Sequence, residues 1–328
     1  MEAQDGAELC FPELLNTSCQ KPKPRPLETA LAYSLFIISL VTVVLNLLVI
    51  ISISHFRQLH TPTNLLLLSL AVTDFLLGLV VLPSEIFRSR NCWFLGDIMC
   101  VLLNSLSLSI SFASIANIVL ISIDRYVAIC YPLLYASRIT TKRVQACVCL
   151  CWLYSFVYNS LLTKDDLAQP GKLNSCSGIC LLVIDNTPGI VDFTVTFIVP
   201  ITAIIFLYTR VFLVVVSQAL AMHSQTAVVS LSVTVKTKKS ELKAAKALGT
   251  VVAVFLMCFF PYHCATLLQD TTDSFQISFI ILCINPCLNP MIYALFYSWF
   301  RKAIRVIVSL QILQPGSREM SLRRHSQE

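Results

Sequence analysis

The sequence predicts an all-α membrane protein, a bundle of seven transmembrane helices followed by a short amphipathic helix. Three observations carry this. The 328 residues are 56% hydrophobic and only 13% charged, with a mean hydropathy of +0.76, against the roughly half-apolar, quarter-charged mix of a soluble domain. Seven predominantly apolar runs of about twenty residues, enough to cross a bilayer, fall near 32–54, 64–83, 100–123, 144–163, 187–216, 247–268 and 275–297. Most Lys and Arg lie on alternate connections.

With the N-terminus outside, the inner loops and tail hold Arg57, Arg138, Lys142, Arg143, Lys236, Lys238, Lys239, Arg301 and Lys302. That is the bias of cytoplasmic loops. Acids such as Glu85, Asp97, Asp165, Asp166, Asp185, Asp270 and Asp273 fall outside and make the outer mouth negative. The pI of 8.6 therefore describes a basic face beside anionic lipid, not a nucleic-acid binder. We expect residues 1–31 as an extracellular segment, 32–309 as one seven-helix domain with its cytoplasmic helix, and 310–328 as a disordered cytoplasmic tail.

Residues 1–31 lack the apolar core of a cleavable signal, so the first span is expected to direct insertion. Asn16-Thr17-Ser18 is a glycosylation sequon on the outer side. Cys10 and Cys19 share that oxidising compartment. Cys100 opens the third span and Cys180 lies in the loop before the fifth, so the economical disulfide joins them, leaving Cys176 for an N-terminal cysteine. Sequence does not choose between Cys10 and Cys19.

Polar residues inside the spans carry the next expectations. A carboxylate near mid-bilayer is costly and generally serves a function. Asp74 in the second span, Ser114 in the third, and Asn285 and Asn289 in the seventh are expected to form an oxygen-rich cluster able to hold a sodium ion. At the cytoplasmic end of span three stands Asp124-Arg125-Tyr126. Glu241, in the basic run opening span six, lies at a similar level, and an Arg125–Glu241 pair would latch a closed state. The alternative is a solvated acid in a basic run. Pro200, Pro261 and Pro290 interrupt spans five to seven and are expected to provide hinges near Tyr208, Phe259 and Tyr293.

Together Asn46, Asp74, Cys100 with Cys180, Asp124-Arg125-Tyr126, Trp152, Pro200 with Tyr208, Cys258-Phe259-Phe260-Pro261 and Asn289-Pro290-Met291-Ile292-Tyr293 resemble the rhodopsin-class G-protein-coupled receptors over residues 32–309. The run from Asn285 to Phe300 resembles the trace amine-associated receptors, with Pro286 where that family usually has Ser. Cys10-Phe11-Pro12, Asn16-Thr17-Ser18-Cys19 and Cys92-Trp93 strengthen the likeness. The resemblance implies a plasma-membrane receptor for small amines, in most members olfactory, that couples to a stimulatory G protein through Arg125, Tyr208 and Tyr293.

Departures from the family pattern relocate the expected ligand site. The aspartate usual seven residues after the disulfide cysteine is Ser107, the tryptophan before the span-six proline is Phe259, and the tyrosine before Pro290 is Cys283. The remaining carboxylate in the outer half of a span is Asp192. It lies roughly 8 Å into span five, and Ser107 roughly 10 Å below Cys100, at 1.5 Å per residue. We expect Asp192 to take the counter-ion role, as in some fish members of the family, with Thr196 on the same face and placed to hydrogen-bond the carboxylate or the ligand. Phe259 and Tyr262 would offer ring faces to a cation, and His263 stands beside them. The competing expectation is a structural Asp192 and a non-amine ligand.

Other classes fit poorly. A retinal pigment needs a lysine in the last span, and 275–297 has none. The five histidines lack ligand spacing, so no enzyme is expected, and no inverted repeat suggests a transporter.

Overall fold

A computed structural model describes residues 8–14, 17–21, 23, 25–168, 176–180, 186–224, 232–268 and 273–322; the side chains of Ala136, Asp166, Leu167, 186–189, 218–224 and 232–246 lie outside that description. The described residues are mostly helical and include seven helices long and apolar enough to span a membrane: Pro26–His55, Pro62–Arg90, Gly96–Cys130, Thr141–Leu162, Ile190–Ser217, Ala247–Leu267 and Asp273–Phe296. An eighth, Ser298–Val308, follows the seventh. The first begins ahead of its apolar run because Pro26 suits the first helical position and Glu28 the first turn.

The third span is the hub, packing against the second, fourth, fifth and sixth. The main apolar core joins Leu67 and Leu70, Ile115, Ile118 and Ile121, Val251 and Phe255, and Ile292 and Tyr293 from spans two, three, six and seven. Outward faces keep large apolar side chains exposed, among them Phe36, Ile37, Leu150, Leu153, Phe206 and Phe212. That is the pattern of helices bathed in lipid, where close packing rather than water exclusion holds neighbours together.

Two spans contain a π-helical turn, Leu77–Val81 in the second and Thr194–Ile198 in the fifth. Each lies just before or around the residue four positions ahead of a proline, Pro83 and Pro200. A proline ring clashes with that residue's carbonyl, and widening the turn relieves the clash. The sixth and seventh spans continue as helix through Pro261, Pro286 and Pro290.

Pro290 deprives the Pro286 carbonyl of its helical donor. Asn46 of the first span fills the gap, its Nδ2 donating to that carbonyl at 3.1 Å and to its own Thr42 carbonyl at 3.0 Å. Asn46 is fully buried, so Asn46→Leu strands a carbonyl in a region without water, at a cost of about 1–3 kcal/mol. Surface expression of that variant, measured by flow cytometry, is expected to fall several-fold.

The outer face is stapled by three disulfides: Cys100–Cys180, Cys19–Cys176 and Cys10–Cys92. Cys19 is thus the N-terminal partner of Cys176, and Cys10 reaches the start of the loop after span two. The backbone follows the same ties, with Cys19 N–H donating to the Ser177 carbonyl and Trp93 N–H to that of Gly178 at 2.9 and 2.8 Å. Gly178 has φ +110°, and a Cβ there would stand 2.6 Å from the Cys10 Cβ. Only glycine permits this approach. The sequon residue Asn16 lies outside the described residues.

The stretch from Gln311, expected to be disordered as part of 310–328, is folded as far as Leu322. Two 3-10 turns, Gln311–Leu313 and Ser317–Glu319, bring Leu322 against Phe56 and Leu59 of the first cytoplasmic turn and Ala303 and Val306 of the last helix. Ile312, Met320 and Leu322 supply the apolar face that holds the stretch there.

Candidate functional site

In the outer half of the bundle, Asp192 sits within the last turns of helix Asn186–Phe193, immediately above the π-helical turn. It is half-buried. Its Oδ1 accepts a hydrogen bond from Tyr158 Oη of span four at 3.3 Å. Tyr158 stacks on Tyr154 and packs against Phe112 of span three, so the carboxylate lies where spans three, four and five meet. Tyr158 was not anticipated from sequence. Its signal was a phenol one helical turn from Tyr154 near the outer end of an apolar helix.

The other expected residues divide. Thr196 spends its hydroxyl on the Asp192 backbone carbonyl, at 2.8 Å, and not on the carboxylate. Ser107 similarly donates to Leu103 O of its own helix at 2.8 Å. Intrahelical bonds of this kind are the usual resort of hydroxyls in apolar surroundings. His263 stands at the centre of an aromatic group, 4.1 Å from Phe197, 5.9 Å from Phe193, 6.0 Å from Phe259 and 5.4 Å from Tyr262 between ring centroids. Tyr262 also touches Phe275 and Phe279 of span seven. Spans five, six and seven are thus joined by rings next to Asp192's neighbour Phe193. Phe197 is a further member that sequence reasoning missed; the π turn swings it inward, where it is 7% exposed.

One turn above Ser107, Asn104 accepts from Arg88 Nη1 at 2.6 Å and donates to Cys100 O at 3.0 Å. Arg88 is also paired with Glu85. This staples span two to the disulfide end of span three.

At mid-depth, Asn289 Nδ2 donates to Asp74 Oδ2 at 2.8 Å, and the Ser114 hydroxyl interacts with the same carboxylate. The side-chain carbonyl oxygens of Asn285 and Asn289 are buried with no donor among the described residues.

At the cytoplasmic end, Arg125 is held on its own helix. Its Nε donates to Asp124 Oδ2 at 3.0 Å, and its Nη2 donates to the same oxygen and to Thr63 Oγ1. Thr63 and Tyr135 each bond Asp124, both at 2.9 Å. Arg125 is 8% exposed and Asp124 3%, so the pair is a desolvated, charge-assisted one. Tyr126, the third member of the triplet, faces Tyr131 edge-on at 5.7 Å. The Glu241 side chain, the expected partner of Arg125, lies outside the described residues. Thr63 and Tyr135 were not foreseen, since one follows Pro62 and the other lies in the short helix Pro132–Arg138, neither in a recognisable motif. The buried hydroxyls of Tyr208, Tyr293 and Tyr297 have no partner among the described residues. Tyr208 rests against Gly249 of span six.

An outer aromatic cup with a carboxylate at its edge, a polar core at mid-depth and a clamped arginine at the inner end define a signalling receptor of the rhodopsin type. The model of the seven-transmembrane receptors of the rhodopsin family matches residues 45–293. The chain belongs, more narrowly, to the trace amine-associated receptors. It is 37% identical over 333 residues to trace amine-associated receptor 7f of Mus musculus, covering 97% of this chain and 92% of the relative. It is 35% identical to receptor 8a of Rattus norvegicus, with 98% of both chains covered, and 35% identical to receptor 13c of Danio rerio, with 97% of both covered. It is a multi-pass membrane receptor and not an enzyme.

Proposed function

We propose that this receptor recognises small amines, with the ligand ammonium paired to Asp192, and signals from the plasma membrane through a stimulatory G protein, in an olfactory role. The observation that supports this best is the half-buried Asp192 carboxylate adjoining the Phe193–Phe197–His263–Phe259 rings while span three offers only Ser107. A carboxylate taken from water into a largely apolar wall gains most from a ligand that brings the opposite charge. Ring faces favour the same ligand. The fish-type arrangement, with the counter-ion on span five, is part of this reading.

An amine binding between Asp192 and the span-six rings favours whichever bundle arrangement brings those groups closest, and that differential affinity is what shifts the population. Movement of span six about Pro261 then loosens Tyr208 from Gly249 and frees the inner end of span three. The released Arg125, with Tyr208 and Tyr293, lines the cleft that a G-protein helix enters. A Glu241 contact to Arg125 would add a second latch. The Asp74, Ser114, Asn285 and Asn289 oxygens fit a hard monovalent cation, which takes oxygen ligands, and a sodium ion held there would favour the closed arrangement.

The Tyr158 bond favours a second reading, in which Asp192 serves span packing and the ligand is not an amine. Tyr158→Phe separates them. Under the amine reading that variant keeps normal surface expression and shifts amine potency by no more than about threefold, the worth of a long neutral-donor bond. Under the packing reading Tyr158→Phe loses surface expression, and Asp192→Asn, which keeps the acceptor for Tyr158, leaves relative ligand potencies unchanged.

A further inference from the structure

The cytoplasmic half of span five carries a single charge, and it is turned to lipid. Arg210 is exposed and stands among Ile205, Phe206, Phe212 and Leu213, each more than half exposed. The span begins at Ile190, and at about 1.5 Å per residue Arg210 lies roughly 30 Å further down, the thickness of the hydrocarbon core. It is therefore at the inner boundary of the bilayer.

Its guanidinium is poorly compensated. The central carbon lies 5.6 Å from the centre of the Phe206 ring, one helical turn back toward the middle of the span. An exposed ring face attracts a cation only weakly. Among the described residues no carboxylate or other hydrogen-bond acceptor meets the five N–H groups. Ionisable side chains in spans usually face the bundle interior and are paired there. Span three builds the neighbouring wall. Tyr126 packs with Val214 and Val215 against the buried pair Ile129 and Val211, and Val214, four residues on from Arg210, shares its helical face. Arg210 and Tyr126 thus border one crevice between spans three and five, apolar at its base.

We propose that this crevice binds an anionic phospholipid of the inner leaflet, its phosphate paired to Arg210 and its acyl chains laid along the exposed apolar side chains above. The planar fork of arginine matches two phosphate oxygens at once, and Tyr126 brings a hydroxyl to the opposite edge. A headgroup of net negative charge is preferred over phosphatidylcholine, because no acidic side chain beside Arg210 among the described residues receives the choline cation. The cytoplasmic leaflet holds such lipids. The bound phosphate bridges spans three and five on their outer side and adds to the packing of Ile129 on Val211.

The test uses the full-length receptor purified in detergent and titrated with phosphatidylglycerol, with bound lipid counted by native mass spectrometry. Wild type is expected to hold the lipid about fivefold more tightly than Arg210→Gln, the worth of one basic side chain at an anionic surface. Arg210→Lys keeps the charge and loses the fork, and is expected to fall between the two. It also carries the comparison if thermal unfolding without lipid shows that Arg210→Gln is misfolded. Equal affinity in wild type and in the folded variant overturns the proposal. So does an equal loss in Arg143→Gln, at the start of span four, which would mean diffuse attraction to a basic face, or equally tight binding of phosphatidylcholine by wild type. Inorganic phosphate in excess is expected to leave the lipid in place; displacement by it would mean a site for phosphate alone and would overturn the lipid assignment. None of these readouts uses a ligand in the outer cup, so failure here leaves the amine reading untouched.

Discussion

Asp192→Asn is expected to weaken the response to primary and tertiary amines by two orders of magnitude or more, at normal surface expression. Removing the charged partner of a desolvated ion pair costs about 2–5 kcal/mol, and each 1.4 kcal/mol is about a factor of ten. The substitution keeps the shape of the side chain and its ability to accept the Tyr158 hydrogen bond at 3.3 Å, so packing of span four on span five survives. Cyclic AMP dose–response curves, normalised to surface receptor, read the effect. Asp192→Glu is expected to recover part of it, since the charge returns on a longer stem.

The second large effect is expected at the inner end. Asp124 accepts from Arg125, Thr63 and Tyr135 at once, and neutralising it to Asn removes the charge that holds the guanidinium against its own helix. Hydrogen bonds to charged groups are worth about 1.5–3 kcal/mol each, so loss of this clamp is expected to move the closed–open equilibrium by about tenfold or more. Ligand-independent cyclic AMP should rise several-fold in Asp124→Asn. Thr63→Val, which removes one donor and leaves the Asp124–Arg125 ion pair, should raise it less. Basal activity unchanged in both would mean that the clamp does not restrain the receptor.

How much of this could be read from the residues depends on the range of the interaction. The spans and their orientation follow from hydropathy and charge, because each helix in a bilayer satisfies its own backbone. Asp74 and Asn289 were visible as polar residues in apolar runs, and the structure joins them directly. Cys100 and Cys180 could be paired because both stand at the outer surface. The choice of Cys19 over Cys10 for Cys176 was not legible: it depends on how residues 10–19 fold against Gly178, whose lack of a side chain admits Cys10. The partners of Asp192 and Arg125 were hidden for a similar reason. Tyr158, Thr63 and Tyr135 are ordinary residues whose roles arise from which helix faces which, and sequence periodicity does not fix that. Thr196 shows the converse. Its spacing from Asp192 was read correctly, but in an apolar wall the nearest acceptor was the backbone carbonyl, not the carboxylate. The π turns at Leu77–Val81 and Thr194–Ile198 add a register shift that a 3.6-residue wheel misses.

That Asp192 reads the positive charge of the ligand is the proposal on which the amine reading stands. Its most direct test is the potency ratio between an amine agonist and a neutral isostere of the same shape, measured in wild type and in Asp192→Asn. The counter-ion role predicts a ratio of about a hundredfold in wild type, from the 2–5 kcal/mol of the pair, that collapses toward one in the variant. A ratio that stays the same in Asp192→Asn would contradict it.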